Sequence, residues 1–92
     1  MKNIVLHMIH PNMSAAQYEG TVRDLEAAGL GKIPERLYHV AAPNGEGWHV
    51  TDVWKSQEAL NRFMVTLGPI LQKLTEGEVA PIILPVHNII IP

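Results

Sequence analysis

The side chains best suited to chemistry in this 92-residue chain lie in the segment 47–64. Side chains two residues apart along an extended strand project from the same face of its sheet. In the first half of the segment, one such face carries Trp48, Val50, Asp52 and Trp54. Two indoles beside a carboxylate are an unusual filling for a core, and they are typical of a pocket that holds a flat organic molecule.

A histidine on the preceding strand is expected to share that face. The Asn-Gly pair at 44–45 is a strong signal for the hairpin that joins the two strands. If residues 44–47 form a four-residue loop, His39 lies opposite Asp52 and Leu37 lies opposite Trp54. A tight two-residue turn at 44–45 moves His39 to a diagonal position on the same side, and only a three-residue bulged loop separates the pair.

The pair formed by His39 and Asp52 is suited to proton transfer, because a histidine oriented by a carboxylate can exchange a proton near neutral pH. These two residues are therefore the predicted catalytic groups. The alternative is an ordinary polar pair at the sheet surface or at a dimer seam, because most side-chain hydrogen bonds are structural. Trp54 is predicted to form a pocket wall together with Val50. Trp48 is predicted to contact a second subunit or to cover one end of the cavity.

Two further histidines are predicted to reach the substrate, His7 from the first strand and His87 from the last, with a structural role as the alternative for each. The sequence predicts no metal site. His7 and His10 have opposite parity in their strand, as do His39 and His49 across the hairpin, and no carboxylate cluster completes a ligand set. No glycine-rich phosphate loop occurs, and no cofactor is predicted.

Composition narrows the class of protein. The chain is 47% hydrophobic, which predicts one globular domain over residues 1–92. Its net charge of −2 is spread without runs, which argues against nucleic acid or an anionic membrane as a partner. No cysteine is present for a disulfide, no apolar run is long enough for a membrane span, and the apolar start is predicted to be a strand rather than a signal peptide. A cytoplasmic protein is the expectation.

The order of elements predicts an α+β fold. Strands are expected at 3–9, 36–42, 48–54 and 82–91, and helices after Ser14 and Ser56. The Gly68-Pro69 pair is expected to kink the second helix or to break it into two pieces. The order βαββαβ is typical of a ferredoxin-like, antiparallel four-stranded sheet with strands one and three in the centre and the helices on one face.

The outer faces of this sheet predict a second layer. Both the first and the last strand are apolar on both sides, yet two helices can cover only one side. A second copy of the chain is the simplest source of the missing cover, because small domains bury little surface alone. A homodimer of the dimeric α+β barrel type is therefore expected, with a cavity for a small aromatic or apolar ligand.

The junction between the third strand and the second helix resembles that of the antibiotic-biosynthesis monooxygenase family, part of the dimeric α+β barrel superfamily. The matching residues are Asp52-Val53-Trp54-Lys55-Ser56, then Ala59-Leu60 and Phe63. The resemblance implies a homodimer with a ligand cavity in each subunit. Some members of the family are cofactor-free oxygenases that convert polycyclic phenols to quinones, and others degrade haem.

The resemblance implies that Trp54 lines the ligand pocket. Two features of the catalytic relatives are missing. The histidine that ligates haem iron on the second helix has no counterpart in the segment 56–74, and the asparagine of the quinone-forming enzymes corresponds to Val50.

Two functions follow as expectations. The first is a cofactor-independent, monooxygenase-like oxidation of an aromatic or phenolic substrate, in which His39 with Asp52 removes a phenolic proton and O₂ attacks the resulting anion. The second is a non-catalytic or stress-related dimeric barrel protein that holds an apolar small metabolite. A purely structural dimer is a third alternative.

Overall fold

The computed structural model describes residues 2–74 and 80–92 of the chain. Its elements are, in order, β1 (Ile4–His10), α1 (Ala15–Ala27), β2 (Arg36–Asn44), β3 (Gly47–Trp54), α2 (Gln57–Gln72) and β4 (Ile82–Pro85). The strands form an antiparallel sheet in the order β2-β3-β1-β4. The predicted ferredoxin-like βαββαβ arrangement, with β1 and β3 in the centre, is therefore confirmed.

Side-chain caps determine where both helices begin. The hydroxyl of Ser14 accepts a hydrogen bond from the Gln17 backbone N–H at 3.1 Å, and the Gln17 side chain accepts one from the Ser14 N–H at 2.9 Å. This reciprocal pair is a capping box, which satisfies two otherwise unpaired backbone donors. At α2, the Ser56 hydroxyl accepts a hydrogen bond from the Ala59 N–H at 3.1 Å.

α2 is one continuous helix with Pro69 inside it, so of the two predicted alternatives at Gly68-Pro69, a kink or a break, the break does not occur. A residue before proline is normally excluded from the helical region because its Cβ and N–H collide with the proline ring. Gly68 has no Cβ, which relieves part of that collision. The buried apolar stripe of Leu60, Phe63 and Leu67 supplies packing energy along the same helix.

The hairpin between β2 and β3 is tighter than a four-residue loop. Gly45 and Glu46 form its turn, and Asn44 already pairs with Gly47. Gly45 adopts a φ of +62°, which suits glycine because it lacks a Cβ. Gly47 lies so close to β1 that an added Cβ would collide with the His10 carbonyl oxygen.

The strand register brings the predicted catalytic pair together. His39 lies directly opposite Asp52, as the four-residue-loop alternative predicted. The expected pairing of Leu37 with Trp54 is wrong, because a β-bulge near the start of β2 places Arg36 opposite Trp54 instead. A bulge adds one residue to a strand and redirects the side chains beyond it. Arg36 therefore shares the sheet face of His39.

β4 ends at Pro85, and its predicted continuation to residue 91 is wrong. β1 begins at Ile4, which pairs with Pro85, so the neighbouring strand offers no further positions. One more backbone bond joins the Val86 N–H to the Asn3 carbonyl at 2.9 Å. The following segment 87–92 is exposed and contains Ile90, whose exposed fraction is 84%.

The two faces of the sheet have different surroundings. The face under the helices is buried and contributes Ile4, Leu6, Met8, Val50 and Trp54 to the core. The opposite face is covered by neither described helix and exposes the apolar side chains Ile9, Val40, Ile82 and Leu84. Neither helix of the described segments is long and apolar enough to cross a membrane.

Candidate functional site

A small cavity lies between the sheet and the two helices. Its volume is about 150 Å³, which matches the size of an apolar cavity that holds one benzene ring. Its apolar lining includes Met8, Met13, Leu25, Val50, Phe63 and Leu67. Its polar lining includes Tyr18, Arg36, His39 and Asp52. An apolar space with a few convergent polar groups is the usual form of a small-molecule site.

A chain of hydrogen bonds runs along the wall of this cavity. The Tyr18 hydroxyl lies 2.6 Å from His39 Nε2, and His39 Nδ1 lies 2.5 Å from Asp52 Oδ1. The indole N–H of Trp54 donates to Asp52 Oδ2 at 3.3 Å. Asp52 is 3% exposed and the His39 side chain 26% exposed, so the chain leads from the core toward the surface.

Three separate elements bring these groups together. Asp52 projects from the helix-covered face of β3, and the hairpin register places His39 across from it on β2. Tyr18 comes from the first turns of α1, where its backbone N–H bonds to the Ser14 carbonyl at 2.9 Å. The cap at Ser14 thus determines where along the helix Tyr18 projects. The Tyr18 ring stacks on the Trp48 ring, with centroids 5.2 Å apart and planes 20° apart.

The pKa of the Tyr18 phenol bears on where the protons lie in these hydrogen bonds. Burial raises the pKa of Tyr18 above its ordinary value, and the Asp52 charge raises it further, while the Arg36 charge opposes them. Tyr18 is therefore a neutral phenol at physiological pH, and its O–H can donate to Nε2 when the His39 ring is neutral. The hydrogen-bond network then assigns the other proton to Nδ1, which donates to the Asp52 carboxylate.

Of the residues predicted to line or cover the pocket, some contact the cavity and others lie beside it. Val50 lines the cavity. Trp54 is fully buried, packs on the Phe63 ring at 4.9 Å and lies behind Asp52, so it supports the carboxylate rather than forming the cavity surface. Trp48 contacts the site through its stack on Tyr18. Its indole N–H is buried without a partner among the described residues.

The structure does not bring His7 or His87 to this cavity. His7 lies on the uncovered face, where Nδ1 is 3.1 Å from the Thr51 hydroxyl and its ring is 5.8 Å from that of His49. His87 follows β4 and is exposed. Side-chain alternation shows which residues of a strand share a face, but the helices decide which face is covered. Within the described ranges, no three His, Cys, Asp or Glu side chains are placed to hold a metal ion.

Several cavity residues are not among those predicted from the sequence, and they include Tyr18, Arg36 and His10. Tyr18 could have been considered because a tyrosine hydroxyl that packs against a core usually needs a hydrogen-bond partner. This requirement indicates that the Tyr18 hydroxyl should contact a polar group. His10 is 2% exposed and lines the cavity. Its parity with Leu6 and Met8 in β1 indicated this face.

Comparison with known proteins shows the fold. No model of a protein family matches the sequence, and no curated protein matches it. Solved structures do match: a candidate antibiotic biosynthesis monooxygenase from Caulobacter crescentus has a TM-score of 0.72 at 16% identity, over 95% of this chain and 92% of that one. A protein of unknown function from Nitrosomonas europaea has a TM-score of 0.67 at 14% identity, over 100% and 96%.

A third similar structure is a monooxygenase from Streptomyces coelicolor in complex with nanaomycin D. Its TM-score is 0.62 at 16% identity, over 99% of this chain and 93% of that one. The chain therefore shares the fold of antibiotic biosynthesis monooxygenases, as the junction at 52–63 suggested. Similarity at this level of identity concerns the fold, because one fold can carry unrelated activities.

We predict that Tyr18 ionises above the ordinary tyrosine value of 10.0. The measurement is the phenolate absorbance of the protein minus that of Tyr18→Phe, recorded against pH. Because folding raises the pKa of Tyr18, its contribution to stability should be complete below the unfolded value and be lost as pH rises through the folded value. A difference curve with a midpoint at or below 10.0 would contradict the burial of this phenol.

Proposed function

We propose that this protein is a cofactor-independent, monooxygenase-like enzyme that oxidises a single-ring phenol with O₂. The observation that carries the proposal is the Tyr18–His39–Asp52 hydrogen-bond chain in the wall of a cavity large enough for one aromatic ring. The fold similarity to a monooxygenase in complex with nanaomycin D supports it.

The hydrogen-bond chain is arranged to accept a phenolic proton. The substrate hydroxyl donates to the Tyr18 oxygen, and the Tyr18 proton moves to His39 Nε2 across the 2.6 Å hydrogen bond. His39 then carries both ring protons, and the buried Asp52 carboxylate stabilises this imidazolium through Nδ1. Tyr18 is thus the group that contacts the substrate, His39 is the base, and Asp52 orients His39.

O₂ is the oxidant in the second stage. The electron-rich phenolate forms a bond between a ring carbon and O₂, and the resulting hydroperoxide loses water to give a quinone. One oxygen atom of O₂ remains on the ring and the other leaves as water. The two hydrogens of that water come from the phenol hydroxyl and from the attacked ring carbon. The apolar lining excludes bulk water from the anion.

A non-catalytic binder of an apolar small metabolite is the second candidate function. The Tyr18 hydroxyl already occupies His39 Nε2, so the histidine has no open position toward the cavity in this state. Val50 also stands where the quinone-forming relatives of the resembling family have an asparagine. Both features are compatible with a cavity that holds a ligand without transforming it.

We further propose that the protein is a homodimer formed through the uncovered sheet face. A sheet normally packs between two layers, and this one has helices on one side only. Its other face exposes Val40 (61%), Ile9 (54%) and Leu84 (51%). A second copy of the chain offers the same apolar face, so twofold packing covers both.

Sedimentation analysis tests the dimer with two matched variants. The unmodified protein should have twice the mass of one chain, and Val40→Glu should be monomeric because it buries a carboxylate in the interface. Val65→Glu is the control, since Val65 is 75% exposed on α2 and lies outside the uncovered sheet face. A folded, monomeric wild-type protein at working concentration would contradict the dimer.

We predict that His39→Gln lowers the rate of O₂ uptake with single-ring phenols by about 10²–10⁴-fold, because glutamine can hydrogen-bond but cannot accept the proton. The measurement uses an oxygen electrode and a set of hydroquinones and catechols. His49→Gln is the matched control, since His49 lies on the sheet face away from the cavity and should leave the rate unchanged.

The same assay separates the two candidate functions. Turnover that stops under nitrogen and depends on His39 supports the enzyme. Equal rates for wild type and His39→Gln would overturn the proton-transfer role. Thermal stabilisation by phenols without any O₂ uptake across the substrate set would favour the binder.

A further inference from the structure

We propose that the ligand of this cavity is an aromatic acid, with its ring inside the cavity and its carboxylate on Arg36 at the mouth. The inference rests on the proposed function and names its substrate class. Three features of the described residues carry it: the bulge that directs Arg36 to the cavity, the absence of an ion pair on Arg36, and the positive charge of the adjoining groove.

The β-bulge in β2 turns Arg36 toward the site. A strand without the bulge would place Leu37 on the face of His39, and Arg36 on the opposite face. With the bulge, Arg36 pairs with Trp54 as His39 pairs with Asp52, so both side chains lie on the cavity side. Bulges are frequent beside active sites, where they redirect one side chain.

Arg36 is available for a ligand. Its guanidinium carbon lies 5.6 Å from the centroid of the Phe63 ring, in the cavity wall, and it forms no salt bridge with the described residues. The neighbouring acid Glu35 pairs with Arg62 at 3.2 Å instead. A guanidinium stacked on an aromatic ring keeps its edge N–H groups free to bind a carboxylate.

The groove outside the cavity carries positive charge, which is complementary to a carboxylate. It is lined by the loop from Gly31 to Pro34 and the start of β2, and it shares Gly31, Arg36 and His39 with the cavity. Among the described residues of its lining, Lys32 and Arg36 are charged and none is an acid. The positive charge of this groove is local, because the chain as a whole has a net charge of −2.

The acids of the cavity form no ion pair with Arg36 among the described residues. The Asp52 carboxylate is hydrogen-bonded to His39 and Trp54. Glu26 also lines the cavity and is exposed. Both charges act at Tyr18: Arg36 lowers its pKa, and this effect is larger than that of the Asp52 charge, which raises the pKa. The cavity mouth therefore attracts an anion.

Binding of matched ligands tests the inference without requiring turnover. The probes are 3- and 4-hydroxybenzoate and the corresponding neutral hydroxybenzamides, measured by calorimetry under nitrogen. At least one hydroxybenzoate should bind the wild-type protein about tenfold or more tightly than its amide, with the preference decreasing as salt is added. In Arg36→Gln the two dissociation constants should agree within about twofold.

Arg62→Gln is the control, because Arg62 is a surface arginine outside both the cavity and the groove, and it should keep the full preference. The dissociation constants of the acid and of its amide are compared within each variant, so a loss of folded protein does not change their ratio. If Arg36→Gln does not fold, Lys32→Gln and the salt dependence replace it, and each should reduce the preference severalfold.

The outcomes separate the inference from the proposed function. If amides bind as tightly as acids to the wild-type protein, the aromatic-acid inference is wrong and the phenol site stands. If an acid preference persists at full strength in Arg36→Gln, another group binds the carboxylate and the inference is again wrong. If neither acids, amides nor phenol bind, the proposed cavity function itself fails.

Discussion

The carboxylate of Asp52 is the group on which the arrangement of this site depends. It is 3% exposed in the middle of an apolar sheet face, and an unpaired charge at such a depth would be strongly unfavourable. His39 and Trp54 each donate a hydrogen bond to one of its oxygens. Leaving a buried acceptor without its hydrogen-bond partner typically costs about 1–3 kcal/mol, and more when the acceptor is charged, so this network also constrains the fold.

The hydrogen bond to Asp52 orients the His39 ring, and His39 in turn positions a hydrogen bond with Tyr18. With Nδ1 bound to the carboxylate, His39 presents Nε2 toward α1, where the Tyr18 hydroxyl donates to it. The site thus joins a strand pair to a helix through two short hydrogen bonds, beside a core of apolar side chains between the helices and the sheet. Such networks are rigid when every member is satisfied, because a low dielectric strengthens each bond.

Much of this architecture could be predicted from the sequence. Alternation along β3 identified the face shared by Asp52 and Trp54, and the turn chemistry at 44–47 brought His39 opposite the carboxylate. Local signals sufficed because neighbouring strands are joined by a short loop. Ser14 likewise located the start of α1 through a capping box that involves only four consecutive residues.

The errors arose where distant parts of the chain decide the outcome. The length of β4 depends on where β1 begins, which no pattern within β4 reveals. The face of His7 depends on which side the helices cover. The bulge at Arg36 lies beside a long-range backbone bond, from the Lys55 N–H to the Glu35 carbonyl at 2.9 Å, which no pattern within β2 reveals. The contact of Tyr18 with His39 depends on how α1 packs against the sheet, which the pattern within α1 does not reveal.

The central physical claim is that buried Asp52 sets the tautomer of His39, and through it the hydrogen bond to Tyr18. The most direct measurement is the ¹⁵N spectrum of the His39 imidazole at a pH where the ring is neutral. The structure predicts a protonated Nδ1 and an unprotonated Nε2 that shifts in Tyr18→Phe. A ring protonated at Nε2, with no response to Tyr18→Phe, would contradict it.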